Sequence, residues 1–468
     1  MKKNMTKTSN KGFSTINPAT EKEIQHYNYM TEEDALKAVN NCDKAYQDWR
    51  LKSLDQRAEI VKSIGEQLKK VKDEYAKLMT QEMGKLVKQS HEEIELCIGI
   101  CEFTATEGRK KLEDEVRTME NGGKGIIQQA PLGVIYGIQP WNFPLYQAIR
   151  YAIVNLMAGN GVLLKHAKNV TGSALMLKKV FEDAGLPKNL FTVLIIDHDT
   201  SDKIIEHKLV RGVTLTGSSK AGEYIAQKAG KALKKTVLEL GSNDAYLVLE
   251  DADVDLAVKT SVFGRTYNNG ETCVAAKRFV VVDKVYDQFK DAFVKGMSQI
   301  NHGDPMDKDS KLGPVARKDL RNKLHNQVEE SVNKGAEVLC GGTIPDTKGY
   351  YYPSTVLGNV KPGQPAYDDE LFGPVASLIK AKDDQDAMRI ANDSRFGLGG
   401  GIFSKNEDKA IQLAKNHFHT GMININSYGL AHPNMPFGGI KDSGYGREHG
   451  GFGITEFVNT KAIMLNNS

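Results

Sequence analysis

Gly133-Val134-Ile135-Tyr136-Gly137-Ile138 is a short apolar run that predicts a buried β-strand. The pattern that follows predicts a helix over about residues 145–157 and a second strand at Val162-Leu163-Leu164. A strand, a helix and a strand in this order form the βαβ unit of a parallel sheet. We therefore expect a parallel sheet that begins at residue 133.

The alternation of strands and helices continues toward the C-terminus. The further predicted elements are helices over residues 173–184 and from 221, and strands over 191–196, 213–215, 236–240, 279–282 and 375–379. Before the first strand, apolar residues at spacings of three and four predict helices over about residues 31–118. The expected fold class is α/β, with two doubly wound domains and a cleft between them.

Composition excludes several classes of partner. The 468 residues carry 62 Lys and Arg against 59 Asp and Glu, so the formal charge is only +3 and favours neither nucleic acid nor a membrane surface. We find no apolar run of 18 residues, and residues 1–12 lack the apolar core of a signal peptide. Five cysteines without metal-ligand spacing indicate a reducing compartment, so a cytoplasmic location is expected, with Cys97 and Cys101 as buried helical residues.

One cysteine lies in a setting that suits catalysis. Asn268-Asn269-Gly270-Glu271-Thr272-Cys273 is a polar, glycine-bearing loop before an Ala-rich segment. A thiol at the start of a helix ionises more readily, and the Ala-rich segment is expected to begin such a helix. Taken alone, a cysteine in a long chain is more often structural, so the interpretation of Cys273 depends on its neighbours.

Glu239 is an ionisable residue at the end of an apolar strand, where ligands gather in open α/β sheets. Burial would raise its pKa toward neutrality, which suits a general base. The alternative is an ion pair with Lys234 or Lys235.

Two further segments follow predicted strands. In Pro140-Trp141-Asn142-Phe143-Pro144, the Asn142 amide could donate to an oxyanion, although most loop asparagines only satisfy turns. Leu215-Thr216-Gly217-Ser218-Ser219 is a strand, a glycine turn and a helix start, whose backbone amides could hold a pyrophosphate. Such turns are common, so this signal is weak by itself.

Together and in this order, these segments resemble the aldehyde dehydrogenase superfamily. The resemblance extends from Ile16-Asn17-Pro18-Ala19-Thr20 nearly to the C-terminus and includes Glu370-Leu371-Phe372-Gly373-Pro374 and Pro436-Phe437-Gly438-Gly439-Ile440-Lys441. It implies NAD(P)-dependent oxidation of an aldehyde to the carboxylic acid.

The resemblance also implies the roles of the three candidate catalytic residues. The Cys273 thiolate would attack the aldehyde to give a thiohemiacetal, whose oxyanion the Asn142 amide and the Cys273 N–H would hold. After hydride transfer to the nicotinamide, Glu239 would deprotonate the water that hydrolyses the thioester.

For the cofactor, the resemblance points to a set of residues on both predicted domains. They are Trp141, Lys165, Lys168, Gly217, Ser218, Leu240, Glu370 and Phe372. Lys168 stands where many NAD-preferring members carry an acid, and a lysine there would attract the 2′-phosphate of NADP. We therefore expect NADP or NAD, with NADP accepted; the alternative is that Lys168 only faces solvent.

Within the superfamily, the chain looks most like the bacterial succinate-semialdehyde dehydrogenase branch. Arg150 falls where that branch places an arginine for the substrate carboxylate, which a guanidinium can grip bidentately. Tyr146, Tyr267 and Tyr428 are expected to line the mouth, which leaves neutral or aromatic aldehydes as the alternative. A second alternative is a non-enzymatic binding or structural relative.

Three residues depart from the family pattern. Glu271 replaces the usual Gln, and this carboxylate should raise the thiol pKa unless it points away. Ser242 replaces a glycine behind Glu239. Tyr151 replaces a lysine, so a proton relay from Glu239 through Glu448 would lack its usual cation.

The resemblance finally implies a division of the chain. Residues 1–114 and 133–240 would form the Rossmann-like cofactor-binding domain, and residues 241–434 the catalytic domain. Residues 115–132 and 448–468 would form a small β arm that joins subunits into a homodimer or homotetramer, because an alternating apolar tail needs a partner strand.

Overall fold

The computed structural model describes residues 12–465, so the segment on which the signal-peptide prediction depends lies almost wholly outside the described residues. The strands, in chain order, are β1 (Gly12–Ile16), β2 (Glu23–Asn28), β3 (Glu115–Thr118), β4 (Lys124–Pro131), β5 (Val134–Gln139), β6 (Gly161–His166), β7 (Phe191–Val193), β8 (Val210–Thr216), β9 (Lys235–Glu239), β10 (Ala245–Val248), β11 (Arg278–Val282), β12 (Glu337–Cys340), β13 (Thr355–Gly358), β14 (Val375–Ala381), β15 (Phe396–Gly397), β16 (Gly400–Phe403), β17 (Asn424–Ile425), β18 (Ile440–Lys441), β19 (Gly444–Tyr445) and β20 (Val458–Leu465).

The α-helices connect these strands and precede the first large sheet. They are α1 (Glu32–Trp49), α2 (Leu54–Lys70), α3 (Lys72–Met83), α4 (Val87–Ala105), α5 (Tyr146–Ala158), α6 (Thr171–Asp183), α7 (His198–Glu206), α8 (Ser219–Lys231), α9 (Val254–Thr266), α10 (Asp283–Ser298), α11 (Lys318–Asn333), α12 (Pro365–Asp368), α13 (Asp384–Asn392) and α14 (Glu407–His417).

The N-terminal helices begin at the caps that their sequences supply. The Thr31 hydroxyl accepts from the Asp34 amide before α1, and Ser53 and Gln56 form a capping box before α2. Both predicted buried cysteines, Cys97 and Cys101, lie inside α4 and are buried. The prediction of helix up to residue 118 is wrong, because residues 115–118 pair as β3 with β4.

The predicted βαβ unit is confirmed, and it forms the centre of a six-stranded sheet. The strand order is β19-β9-β8-β5-β6-β7, with parallel pairing throughout except at β19. Gly137 in β5 admits the ring of Tyr151 from α5, since a Cβ at Gly137 would lie 2.1 Å from Tyr151 Cζ. Because β5, β6, β8 and β9 are parallel, their C-terminal ends meet at one edge of the sheet, where ligands bind in such sheets.

Two predicted elements of this half differ from the structure. The strand expected over residues 191–196 ends at Val193, because the Ile195 carbonyl accepts from the Met30 amide instead of from a neighbouring strand. Helix α7 was not predicted; Asp197 caps it by accepting from the Thr200 amide.

A second, seven-stranded sheet has the order β12-β13-β14-β11-β10-β16-β17 and is parallel except for the β12–β13 pair. Strands β10, β11 and β14 are almost wholly buried, as expected for central parallel strands covered on both faces. The loop that carries Cys273 leads into β11, so it enters this sheet at its centre.

The third sheet is small and antiparallel, with the order β20-β4-β3. Apolar side chains on its outer strands are exposed: Val116 by 60% and Met464 by 69%. The subunit-joining role of this arm stays a prediction. Within residues 12–465, the helices are all too short or too polar to cross a membrane.

Glu82 connects two helices of the N-terminal half. Its side chain, on α3, is fully buried and accepts from the backbone amides of Gly172 and Ser173 at 2.8 and 2.9 Å and from the Ser173 hydroxyl at 2.6 Å. These amides belong to the first turn of α6, where backbone N–H groups find no carbonyl acceptor within the helix. A single carboxylate thus caps α6 from a separate helix.

We expect Glu82→Ala to lower the free energy of unfolding by about 3 kcal/mol, because it leaves buried donors without acceptors. Urea unfolding followed by circular dichroism measures this change. The matched control is Glu74→Ala, an exposed site on the same helix, with an expected change within about 0.5 kcal/mol. Equal midpoints for the two variants would contradict the role of Glu82 as a cap.

Candidate active site

Asn142 lies in the loop between β5 and α5, and its side chain is held in one orientation. It is buried; Nδ2 donates to the Glu271 carbonyl oxygen at 3.0 Å, and Oδ1 accepts from Gln147 Nε2 at 3.1 Å. One Nδ2 hydrogen is thereby used and the other remains for a further acceptor. An amide fixed before a ligand arrives is the type of donor that stabilises an oxyanion.

A buried ion pair supports the loop of Asn142. Glu93 Oε1 accepts from the backbone amides of Leu145 and Tyr146, each at 2.8 Å, while Oε2 pairs with the Lys85 ammonium. The Lys85 nitrogen also lies 4.1 Å from the centre of the Phe143 ring. Both charged side chains are fully buried, so the pair holds the loop from inside the protein.

The Cys273 loop contains three consecutive residues with positive φ: Asn268 (53°), Asn269 (58°) and Gly270 (73°). Asparagine and glycine tolerate this region best. A Cβ at Gly270 would lie 2.4 Å from the backbone of Gly373, so only glycine fits there. The turn is fixed further because Asn268 Nδ2 donates to the Asn142 carbonyl at 2.9 Å.

The helix expected after Cys273 is absent, and the prediction that a helix dipole activates the thiol is wrong. Cys273 lies in a turn, and residues 275–277 lead without a helix into β11. Burial raises the pKa of the Cys273 thiol to about 11, whereas the cations of Arg150 and Lys277 oppose this rise. Nearby side-chain cations, not a helix end, therefore favour the thiolate.

Glu239 ends β9 with its side chain buried, and both carboxylate oxygens lack a hydrogen-bond partner among residues 12–465. Burial, and next the charge of Glu448, raise its pKa well above the ordinary value. The alternative ion pairs do not form, because Lys234 donates to the His207 carbonyl and Lys235 pairs with Glu456 at 2.9 Å. The side chain therefore has the burial that a general base requires.

Arg150 differs from the free clamp that the sequence suggested. Its side chain is fully buried, its Nε lies 2.6 Å from Glu448 Oε2, and its Nη2 donates to Thr216 Oγ1 at 2.7 Å. Glu448 and Thr216 engage two of the five N–H donors of the guanidinium, so the expected grip on a substrate carboxylate stays a prediction. Nη1 is buried and forms no hydrogen bond with any described residue.

The same ion pair corrects the expectation at Tyr151. The hydroxyl of Tyr151 donates to the Leu163 carbonyl at 3.1 Å and so takes no part in the site. Glu448 nevertheless has a cationic partner, because Arg150 fills that place. The carboxylates of Glu239 and Glu448 interact, so the pair that a proton relay would use is present.

The three tyrosines expected at the mouth have different surroundings. The Tyr146 hydroxyl is hydrogen-bonded to His449 Nε2 at 2.8 Å, and the two rings stack. The Tyr428 hydroxyl is buried without a partner among the described residues, and the charge of Cys273 acts on both Tyr146 and Tyr428. Tyr267 instead donates to Glu92 at 3.1 Å. Tyr146 and Tyr428 are thus close to the thiol, whereas the Tyr267 hydroxyl is held elsewhere.

Six of the eight candidate cofactor residues line two cavities near the first turn of α8. A cavity of about 740 Å³ is lined by Trp141, Lys165 and Lys168, and one of about 370 Å³ by Ser218, Glu370 and Phe372. Trp141 and Phe372 meet edge to face, with ring centres 5.7 Å apart.

Two of the candidate cofactor residues use their own amides within the protein. The Gly217 amide donates to the Glu239 carbonyl, and the Leu240 amide donates to the Ser443 carbonyl, each at 3.0 Å. Their N–H groups are thus engaged within the protein, and the role of Gly217 and Ser218 at a pyrophosphate stays a prediction.

Glu271, the first departure from the family pattern, points away from the thiol. Its Oε1 accepts from the Ala316 amide at 3.1 Å, and its Oε2 is buried without a partner in the described chain. Burial raises the pKa of Glu271 well above its ordinary value. A neutral carboxyl group resembles the glutamine amide in shape, which explains why Glu is tolerated here.

Sequence reasoning missed Lys277, whose ammonium bonds to the Cys273 carbonyl and to Ser242. The signal that could have found it is a lysine four residues after Cys273, in a stretch that is otherwise apolar up to β11. It also missed Lys85, in the loop between α3 and α4, and Glu93, on α4, which only the folded chain brings to the Asn142 loop.

Comparison of the sequence with known proteins identifies the family that this chain matches. A model of the aldehyde dehydrogenase family matches residues 5–463. An NAD(P)+ succinate semialdehyde dehydrogenase of Escherichia coli strain K12 is 42% identical over 449 residues, which cover 96% of this chain and 97% of that protein. An NADP+ succinate-semialdehyde dehydrogenase of Deinococcus radiodurans is 39% identical over 451 residues, covering 96% of this chain and 94% of that protein.

A solved structure agrees with the comparison of sequences. Succinic semialdehyde dehydrogenase from Streptococcus pyogenes, in complex with NADP+, superimposes with a TM-score of 0.95 at 37% identity. The match covers 97% of this chain and 100% of that chain.

We expect Glu271→Gln to stabilise the protein increasingly as pH rises. The wild-type carboxyl is neutral in the fold but ionised in the unfolded chain above its ordinary pKa, so its stability contribution is lost as pH rises toward the folded pKa. The advantage of Gln should grow by up to about 1.4 kcal/mol per pH unit in this range. Urea unfolding from about pH 5.5 to about pH 8.5 measures it.

The control for this experiment is Glu59→Gln, an exposed site on α2. Its effect should not change with pH. If Glu271→Gln and Glu59→Gln give the same flat difference, Glu271 is not held neutral in the fold.

Proposed function

The chain belongs to the aldehyde dehydrogenase family, and on that premise we propose that it oxidises succinate semialdehyde to succinate with NADP or NAD. The observation that carries this choice of substrate is the 42% identity over 449 residues to the succinate semialdehyde dehydrogenase of Escherichia coli. The expected assembly into a dimer or tetramer and the expected cytoplasmic location stay predictions.

The two alternatives are less well supported. Neutral or aromatic aldehydes are not the substrates in the names of the similar curated proteins. The alternative of a non-enzymatic relative was based on Glu271 and Ser242. However, Glu271 accepts from the Ala316 amide and does not contact the thiol, and the Ser242 hydroxyl donates to the Cys273 carbonyl.

In the proposed reaction, the Cys273 thiolate attacks the carbonyl carbon and gives a thiohemiacetal oxyanion. The Asn142 Nδ2 hydrogen that is not bound to Glu271 donates to this oxyanion, and removal of such a donor typically costs about 10²–10³ in rate. A nicotinamide cofactor held by the residues that line the two cavities would supply the hydride acceptor, and loss of hydride from the thiohemiacetal carbon would leave a thioester on Cys273.

Hydrolysis of the thioester is the proposed task of Glu239. Its carboxylate takes a proton from water, the hydroxide adds to the thioester carbon, and the C–S bond breaks to release the acid and the thiolate. The Glu448–Arg150 pair lies next to Glu239 and offers a route for the proton away from it.

For the substrate carboxylate, we assign Nη1 of Arg150 as a single charge-assisted donor. This nitrogen has no hydrogen-bond partner among residues 12–465, and the Arg150 charge acts on the Cys273 thiol. One such contact favours an acid aldehyde over a neutral one, although less than a bidentate contact would.

For the cofactor, the larger cavity fits a phosphorylated ribose better than a plain one. Its lining includes Lys165, Lys168, Arg317 and Lys318 against the single acid Asp319. The Lys168 ammonium lies 5.7 Å from the centre of the Phe13 ring and 5.2 Å from that of Tyr29. These rings favour one position of an otherwise exposed cation.

The substrate prediction is a kcat/KM for succinate semialdehyde that exceeds those for hexanal and benzaldehyde by at least about tenfold. In Arg150→Met/Glu448→Gln, which removes both charges of the pair together, this preference should fall by about tenfold, because the donor to the carboxylate is lost. Steady-state formation of reduced cofactor measures both ratios.

The control is Cys273→Ala, in which formation of reduced cofactor should stop with every aldehyde. If the double variant loses the same factor with all three substrates, Arg150 does not recognise the carboxylate. A wild-type preference for hexanal would refute the substrate itself.

The cofactor prediction concerns Lys168→Glu. A carboxylate repels the 2′-phosphate, so kcat/KM for NADP should fall by about 10–100-fold, while the value for NAD changes by less than about threefold. Initial rates with each cofactor at saturating aldehyde measure the ratio. Lys188→Glu, an exposed lysine beyond α6, is the control. Equal losses with both cofactors would show that Lys168 does not contact the 2′-phosphate.

A further inference from the structure

Lys277 is a cation enclosed by three groups of the site. It is 1% exposed, and its ammonium donates to the carbonyl oxygen of Cys273 and, at 3.0 Å, to the hydroxyl of Ser242. It also lies 3.1 Å from Glu370 Oε1. A buried ammonium held by two hydrogen bonds and an ion pair has a fixed position.

Ser242 completes the enclosure of this cation. Its hydroxyl oxygen lies 2.5 Å from the Cys273 carbonyl oxygen and 2.7 Å from Asp244 Oδ1, which also accepts from the Gly399 amide. The glycine usual in the family at this position could make none of these bonds. The departure at Ser242 and the lysine four residues after Cys273 thus belong to one network.

We propose that Lys277, anchored by Ser242, is a positioning residue that fixes the peptide of Cys273 and supplies a positive charge beside its thiol. Glu370, 3.1 Å from the ammonium, carries the opposing charge. The proposal rests on the proposed role of Cys273 as nucleophile, because only a reacting thiol benefits from the charge.

The charged groups that act on Cys273 allow a test by sign. Arg150 and Lys277 lower the thiol pKa, whereas Glu370 and Glu239 raise it. Removal of Lys277 and removal of Glu370 must therefore move the ionisation of the thiol in opposite directions if charge is the cause. A loss of local structure would move both variants in the same direction.

The experiment measures alkylation of Cys273 by iodoacetamide as a function of pH in the full-length protein. Mass spectrometry of peptides resolves Cys273 from Cys340, the other cysteine that is not fully buried. In Lys277→Met the midpoint of the pH profile should rise by about 0.5–1 pH unit, and in Glu370→Gln it should fall. Lys277→Arg should restore most of the wild-type midpoint, because it keeps the charge.

Ser242→Ala tests the anchor with a smaller change and keeps the buried lysine in case Lys277→Met does not fold. Its midpoint should rise by less than that of Lys277→Met, and Lys405→Met, an exposed lysine, should leave the midpoint unchanged. Midpoints for Lys277→Met and Glu370→Gln that move in the same direction would overturn the proposal, as would an unchanged midpoint in Ser242→Ala together with Lys277→Met.

Alkylation requires neither turnover nor cofactor. A failure of this proposal is therefore separate from a failure of the proposed function, which Cys273→Ala and the substrate panel test.

Discussion

Two asparagine amides join the loops that carry the oxyanion donor and the thiol. Nδ2 of Asn142 donates to the Glu271 carbonyl, and Nδ2 of Asn268 donates to the Asn142 carbonyl. The first loop follows the central strand of the six-stranded sheet, and the second leads into the seven-stranded sheet. The distance between the Asn142 amide and the Cys273 thiol therefore depends on these reciprocal hydrogen bonds and not on either sheet alone.

The charged residues that hold these loops, Glu93 and Lys277, are both buried and both paired with an opposite charge. Glu93 holds the first loop through two amides, and Lys277 holds the second through the Cys273 carbonyl. Buried charges cost free energy unless they are paired, and removal of one partner is strongly destabilising, so these pairs hold the two loops firmly. Preorganisation of this kind is what an enzyme needs when charge develops during the reaction.

Much of the fold could be predicted from the sequence, because its signals are local. The apolar run at Gly133-Val134-Ile135-Tyr136-Gly137-Ile138 and the strands after it have the period and length of buried parallel strands. Periodicity alone placed the end of the N-terminal helices too late, because β3 exists only through its pairing with β4, whereas the family resemblance assigned residues 115–132 to a β arm. The helix expected after Cys273 is absent because distant residues hold this segment: the Ala276 amide donates to the Gly264 carbonyl and the Lys277 amide donates to the Asp244 carbonyl.

The partners of charged side chains were the least predictable feature of the site. A sequence places Arg150 one residue before Tyr151 but cannot show that it meets Glu448, almost 300 positions later. In the same way, the resemblance identified Glu271 as unusual, and only the structure shows that its carboxyl faces the Ala316 amide. Candidate residues could thus be named from the sequence, whereas their charge states depend on tertiary contacts.

The left-handed turn at Asn269 has a consequence for the chemical lifetime of the protein. An asparagine followed by glycine readily cyclises to a succinimide when the side chain can approach the next backbone nitrogen. Here Nδ2 of Asn269 donates to the carbonyls of Gly84 and Pro314, and Oδ1 accepts from the Gly313 amide, so the side chain is held in place. The native fold therefore slows succinimide formation at Asn269–Gly270. Prolonged unfolding would free the side chain to cyclise, and refolding cannot reverse that covalent change.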